Sequence, residues 1–189
     1  CHYDDTVNQR IMYINRNEPI YQNKAYESLI RKTVHQVPVK NSCMLTQVGI
    51  NSLAAIEKYL DWVISLGVTQ VVFRELSRLD ENYLENNTKN WIDQNRVAID
   101  PLLREILPQL DQPRKHWTYQ WSHAGYYYYN EHFTYRDQVN VILETSSYQE
   151  LQRRNTSDVI QKLVFHSNGN LCGDWDPDRE VIANYFQKK

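Results

Sequence analysis

Residues 39–73 constrain the fold more than any other stretch of this chain. In Val39-Lys40-Asn41-Ser42-Cys43-Met44-Leu45-Thr46 the apolar Val39, Cys43 and Leu45 share one parity, the pattern of a strand with one buried face. Asn51 or Ser52 can then cap a helix that carries Leu53, Ile56, Leu60, Val63 and Ile64 on one stripe. Gly67 suits the left-handed position that closes such a helix, and Val68, Val71, Val72 and Phe73 follow as an apolar strand. Strand, helix and strand in so short a span force the two strands to run parallel. Parallel strands are covered on both faces, so further βα units are expected beside these two.

Upstream, Tyr26, Leu29, Ile30 and Val34 recur at helical spacing, and Pro38 ends that segment. Downstream, the residues from 80 to 113 are polar and helical. They include a helix expected to be capped by Asp100, with Pro101 in its first turn and Leu102, Leu103, Ile106 and Leu110 on its buried stripe. After Pro113 the period changes to two. Lys115 to Tyr129 alternates around Trp117, Tyr119 and Trp121 and ends in Tyr126-Tyr127-Tyr128-Tyr129, and Gln138 to Thr145 alternates again. Ser167-Asn168-Gly169 reads as a hairpin turn between 162–166 and 170–175. A last helix is expected from Asp176-Pro177, carrying Val181, Ile182, Tyr185 and Phe186.

The expected class is therefore α/β: the C-terminal part of an incomplete parallel (β/α) TIM-like barrel in residues 1–112, then an antiparallel β extension with a closing helix in residues 113–189. A sheet cut in this way leaves an unpaired edge and an uncovered apolar lumen, so dimerisation through that edge, or poor solubility, is expected.

Composition removes several function classes. Basic and acidic residues number 21 and 23, for a net charge of −2, so no global positive field exists to hold a nucleic acid. No apolar run approaches a membrane span, and no signal segment opens the chain. The five glycines are scattered, which excludes the Gly-rich phosphate cradles of dinucleotide and P-loop proteins. Cys1, Cys43 and Cys172 are odd in number and far apart, which fits a reducing, cytoplasmic setting and supplies no clustered thiolates. His116, His123 and His132 have no carboxylate at ligand spacing, so no metal site is expected among them. Asp174-Trp175-Asp176-Pro177-Asp178 lacks the glycine and the final acid of a calcium loop and reads as a helix start.

In open-sheet and barrel α/β folds the reactive groups sit at the carboxyl ends of the parallel strands. That rule selects Asn41, Ser42 and Thr46 on the first strand, and Arg74, Glu75 and Ser77 on the second. With Val39, Cys43 and Leu45 facing the helices, Lys40 and Ser42 face the interior, and a one-residue slip would substitute Asn41. A carboxylate at the end of a Val-Val-Phe strand needs a cationic partner, water or a ligand, so Glu75 is either a strand-end ion pair with Arg74, Arg78 or Lys40 or a functional group.

Taken together, Cys43-Met44-Leu45-Thr46, Gly49-Ile50-Asn51-Ser52-Leu53, the helix from Ile56 to Leu66, Gly67-Val68 and Val72-Phe73-Arg74-Glu75-Leu76 resemble the fourth and fifth βα units of radical S-adenosylmethionine enzymes. The branch nearest in look contains the molybdenum-cofactor cyclase. His2-Tyr3-Asp4-Asp5 and Asn8 are similar to the stretch just past the family's third strand, so the likeness covers about residues 1–76, with a looser continuation through 125–127 and 162–166. The family's C-x₃-C-x₂-C loop, which holds a [4Fe–4S] cluster, has no counterpart in these 189 residues. The resemblance thus implies the C-terminal part of an enzyme that reductively cleaves S-adenosylmethionine, its cluster held by a segment outside this sequence. Neither group is expected to be bound by these residues alone. It implies Ser42, or Asn41 in its place, toward the cofactor's ribose or carboxylate. Glu75 would lie beside the adenosine or substrate, in one hollow shared with Ser42. Arg74, Tyr127 and Tyr129 are the expected contacts to a small-molecule or peptide substrate.

Two other classes stay open. One is a stand-alone binding or interaction module that uses the aromatic strands 117–129 for recognition. The other is a metal-independent barrel enzyme in which Lys40 faces Glu75.

Overall fold

The computed structural model describes residues 2–12, 22–79, 83, 85–107, 114–125, 127–155, 159, 160 and 162–186. Cys1, Leu110, Tyr126 and the boundary expected near residue 112 lie outside them. After α1 (Asp5–Met12) and α2 (Asn23–Thr33) comes the expected unit of β1 (Lys40–Leu45), α3 (Leu53–Ser65) and β2 (Gln70–Glu75). The helices α4 (Asn87–Asn95) and α5 (Ile99–Ile106) follow, then β3 (Trp117–Ala124), β4 (Tyr128–Tyr135), β5 (Val139–Ser146) and α6 (Tyr148–Asn155). The strands β6 (Val164–Phe165), β7 (Asn170–Cys172) and β8 (Val181–Asn184) end the fold.

The strand–helix–strand reading holds in detail. The Ser52 side chain accepts a hydrogen bond from the Ala55 N–H and so caps α3. Gly67 leaves the helix at φ +83°, a conformation in which a side chain is strained. β1 and β2 pair in parallel, with Cys43 opposite Phe73 and Leu45 opposite Glu75.

The barrel expectation does not hold. The strands form a mixed five-stranded sheet in the order β1-β2-β5-β4-β3, open at β1 and β3, beside a small antiparallel sheet β6-β7-β8. β5 runs parallel to β2, whereas β4 and β3 return antiparallel as a meander. The large sheet therefore draws β1 and β2 from before residue 112 and β3, β4 and β5 from after it.

One face carries the core. Cys43 and Leu45, Val71 and Phe73, Val141 and Leu143, Phe133 and Trp117 pack with Ile56, Leu60 and Val63 of α3 and Ile99, Leu102 and Ile106 of α5. The opposite face is largely polar: Lys40, Ser42, Arg74 and Asn140 are exposed. A lumen would need that second face to be apolar and enclosed. On that face Val72 and Ile142 lie buried at 1% and 6% exposure outside the main core cluster, and Met44 is exposed beside Arg74.

The closing helix is a strand. Asp176 and Pro177 form a turn in which Asp176 accepts from the Asp178 and Arg179 N–H groups, and Glu180 sits at φ +49°. A left-handed residue there stops any helix begun at 176, and Val181–Asn184 pairs with β7 instead. The Ser167-Asn168-Gly169 hairpin stands as expected, with Gly169 at φ +83°. The α5 cap also differs. Its first turn starts at Ile99, Asp100 and Pro101 lie inside it, and Ala98 at the cap position offers no side-chain acceptor.

Candidate functional site

The carboxyl ends of β2 and β5 lie side by side because these strands are parallel neighbours. Beyond them the two chains run on together: the Arg78 N–H donates to the Ser146 carbonyl at 3.4 Å, and the Tyr148 N–H donates to the Arg78 carbonyl at 3.2 Å. The Ser77 and Ser146 hydroxyls share a hydrogen bond at 2.5 Å. Against this edge the β3–β4 turn folds back, with the Ser147 N–H donating to the Tyr127 carbonyl at 3.0 Å. Between turn, strand ends and the start of α5 is a cleft of about 410 Å³ lined by Glu75, Arg78, Arg96, Tyr127, Tyr129 and Ser147, among others. It lies where open α/β sheets place their ligands, outside the carboxyl ends of parallel strands.

Two devices shape its walls. At Gly125 a side chain would meet the Tyr128 ring at 2.3 Å, so only glycine lets that ring close against the turn. Ser147 accepts the Glu150 N–H at 3.2 Å and caps α6.

Glu75 is buried on the helix-covered face, where one carboxylate oxygen pairs with the Arg96 guanidinium and the other accepts the Ile99 N–H at 2.9 Å. It thereby supplies the α5 cap that Ala98 lacks, a carboxylate at a helix N-terminus. The strand-end ion pair read from the sequence is therefore present, with Arg96 in place of Arg74, Arg78 or Lys40. Burial lowers the Arg96 pKa from its ordinary value, and nearby Asp100 partly restores it.

The remaining expected residues disperse. Tyr127 and Tyr129 line the cleft with Glu75, but Arg74 points to the opposite face and pairs with Glu144 at 2.7 Å. Asn41 and Ser42 belong to the first half of β1, not its carboxyl end, because the strand runs on to Leu45. Asn41 is buried and accepts a hydrogen bond from the Tyr26 hydroxyl at 2.8 Å, while Ser42 is exposed on the second face. Ser42 and Glu75 therefore occupy opposite faces of the sheet, and no hollow joins them. Lys40 is likewise on the second face, away from Glu75.

Arg78, Arg96, Ser146, Ser147 and Glu150 line the cleft and were not singled out as its contacts. A signal existed for the serines. The alternating strand 138–145 ends in Ser146-Ser147, and the carboxyl-end rule would have chosen them had that strand been read as parallel to β2.

On the second face the meander brings histidines together. Trp121 stacks on His132 with ring centres 3.6 Å apart and planes at 13°, and His123 lies 5.4 Å from His132. No group of three or more His, Cys, Asp or Glu capable of holding a metal occurs among the described residues. Burial, then the neighbouring His123 and Lys40, lowers the His132 pKa below the usual 6.5, and burial lowers that of His2 as well. The unfolded chain then binds more protons just below the ordinary imidazole pKa. Stability is expected to be complete above pH 6.5, to fall as the pH drops below it, and to level off once the folded-state pKa values are passed. Urea midpoints measured on both sides of that window check this, and His132→Gln should flatten the slope. An unchanged midpoint on acidification would contradict it.

Cys43 is 1% exposed on the packed face, where burial pushes its thiol pKa up to about 11, and Cys172 is buried in β7. Burial leaves neither of them a reactive thiolate. No helix among the described residues is long and apolar enough to cross a membrane. No protein-family model, curated protein or solved structure matches this chain.

Proposed function

We propose that these residues form the C-terminal part of a radical S-adenosylmethionine enzyme, contributing a ligand-binding wall at the carboxyl ends of β2 and β5. The observation that carries this reading is the position of the cleft: Tyr127 and Tyr129, two residues expected against the substrate, line one cavity at those strand ends. The sequence resemblance over residues 1–76 supports it from the other side. The substrate is proposed to be a small molecule or peptide, and the setting reducing and cytoplasmic, in keeping with the odd number and wide spacing of the cysteines.

The residues described here do not fit the iron–sulfur cluster. Cys43 is buried against helices, Cys172 belongs to the other sheet, and no group of three metal-ligating side chains occurs among the described residues. Nor do Ser42, Asn41 and Glu75 converge on S-adenosylmethionine: one is exposed on the second face, one bonded to Tyr26, and one fully engaged by Arg96 and Ile99. The radical chemistry therefore belongs, in this proposal, to a segment outside the 189 residues.

Incubated anaerobically with dithionite and S-adenosylmethionine, this polypeptide is expected to form no 5′-deoxyadenosine. Protein-dependent product would overturn the division of labour. The product of the complete reading frame is expected to carry iron and acid-labile sulfide and to form 5′-deoxyadenosine under the same conditions. A frame without three clustered cysteines, or a product that binds no iron, would discard the enzyme reading.

A binding or interaction module is the second reading. It is favoured by the exposure of Trp121, Tyr119 and Tyr129, at 51%, 42% and 40%, on the outer two strands of the sheet. The register divides them between the two faces, with Trp121 beside His132 on the second face and Tyr119 and Tyr129 on the other, so each face offers an open aromatic side chain for recognition.

A further inference from the structure

Three carboxylates, Glu75, Asp100 and Glu150, and two guanidiniums, Arg78 and Arg96, line the cleft. Glu75 is neutralised by Arg96, Glu150 pairs with Arg153 at 2.9 Å, and Asp100 lies near Arg96. Arg78 is exposed and lines the same cleft, and its guanidinium has no ion-pair partner among the described residues. Its main chain is held on both sides, to Ser146 and to Tyr148, so the root of the side chain is fixed while its head is not engaged. Ser147 uses its hydroxyl oxygen to accept from Glu150 and keeps its O–H to donate. Tyr127 and Tyr129 add aromatic surface to the same cavity.

We propose that the cleft takes a ligand bearing a carboxylate on a flat apolar body, the carboxylate held by Arg78 and the body set against Tyr127 and Tyr129. One unengaged guanidinium matches a monoanion, and its planar fork suits the two oxygens of a carboxylate. A phosphate dianion would bring a second negative charge toward Glu75, Asp100 and Glu150 with no cation left to meet it. The inference rests on the cleft being the ligand site and names what it accepts.

Benzoate, benzamide and phenyl phosphate, titrated into the ¹⁵N-labelled chain and followed by amide chemical shifts, test this. Benzoate is expected to shift Arg78, Tyr127, Ser146 and Ser147, and benzamide to leave them unmoved. Arg78→Met should weaken benzoate binding at least about fivefold, as loss of a charge-assisted pair requires. Arg78→Lys, which keeps the charge and loses the fork, should weaken it less, and it serves as the test should the methionine variant not fold. Equal binding of benzamide, tighter binding of phenyl phosphate, shifts elsewhere, or full affinity in the variant that folds would each overturn the assignment. Benzoate binding needs neither iron nor reductant, so this result and the 5′-deoxyadenosine result fail independently.

Discussion

Glu75→Ala is expected to destabilise the chain by about 3 kcal/mol, read as a lower urea midpoint with an unchanged slope. Two losses add. The Ile99 N–H, at the start of α5, loses the acceptor that stands in for a capping side chain, worth about 1 kcal/mol. The Arg96 guanidinium, already depressed in pKa by burial, is left without its carboxylate. A fully buried orphaned charge would cost about 3–5 kcal/mol, but the Arg96 side chain is 29% exposed, and water offsets part of that. Glu75→Gln keeps an acceptor for Ile99 and should cost less. The experiment also separates two roles for one residue. A loss below about 0.5 kcal/mol, the range of surface substitutions, would mean that the carboxylate is not committed to the fold and is free for a ligand.

Why Glu75 was singled out from sequence, and why its role was not, is one physical question. A carboxylate following Val71-Val72-Phe73 signals a constraint, since it cannot be buried unpaired. Its partners lie 21 and 24 residues further on, across α4, where no local pattern connects them. The same division runs through the fold. Ser52, the apolar stripe of α3, Gly67 and the parallel pairing of β1 with β2 were legible because cap, period and glycine are all local signals. The site of β5 was not. Its alternation marks a strand with one buried face, but nothing in 138–145 says that it leaves its hairpin partner β4 on one side and joins β2 on the other. That insertion makes the sheet mixed, and it carries Ser146 and Ser147 to the cleft.

Two local departures from the expected pattern share a cause as well. The tyrosine run does not end one strand: β3 stops at Ala124, the Gly125 N–H donates to the Tyr128 carbonyl, and Tyr128 begins another strand. The spacing of Val181, Ile182, Tyr185 and Phe186 suits a helix, but all four are exposed, so there is no core face for a helix to bury. Period alone could not decide between the two, and the left-handed Glu180 did.

Phe73→Ala is expected to cost about 3–5 kcal/mol. Phe73 is fully buried in β2, meets Tyr59 of α3 edge to face at 5.5 Å, and stands in register with Cys43 on one side and Leu143 on the other. A cavity there undermines the contacts of β1, β5 and α3 together. Because β2 joins strands from both sides of residue 112, the loss should be felt across the whole large sheet at once. Two tryptophans report on this: Trp62 on α3, bonded to Glu27 at 2.7 Å, and Trp117 at the start of β3, bonded to Glu57 of α3 at 3.1 Å. With 5-fluorotryptophan incorporated, their ¹⁹F signals should disappear at one urea concentration in the native chain. In Phe73→Ala both should disappear at one lower concentration, as a single cooperative unit requires. If the Trp62 midpoint fell while that of Trp117 held, the residues before and after 112 would unfold as separate parts. The continuous sheet would then be an adjoining of two units instead of one.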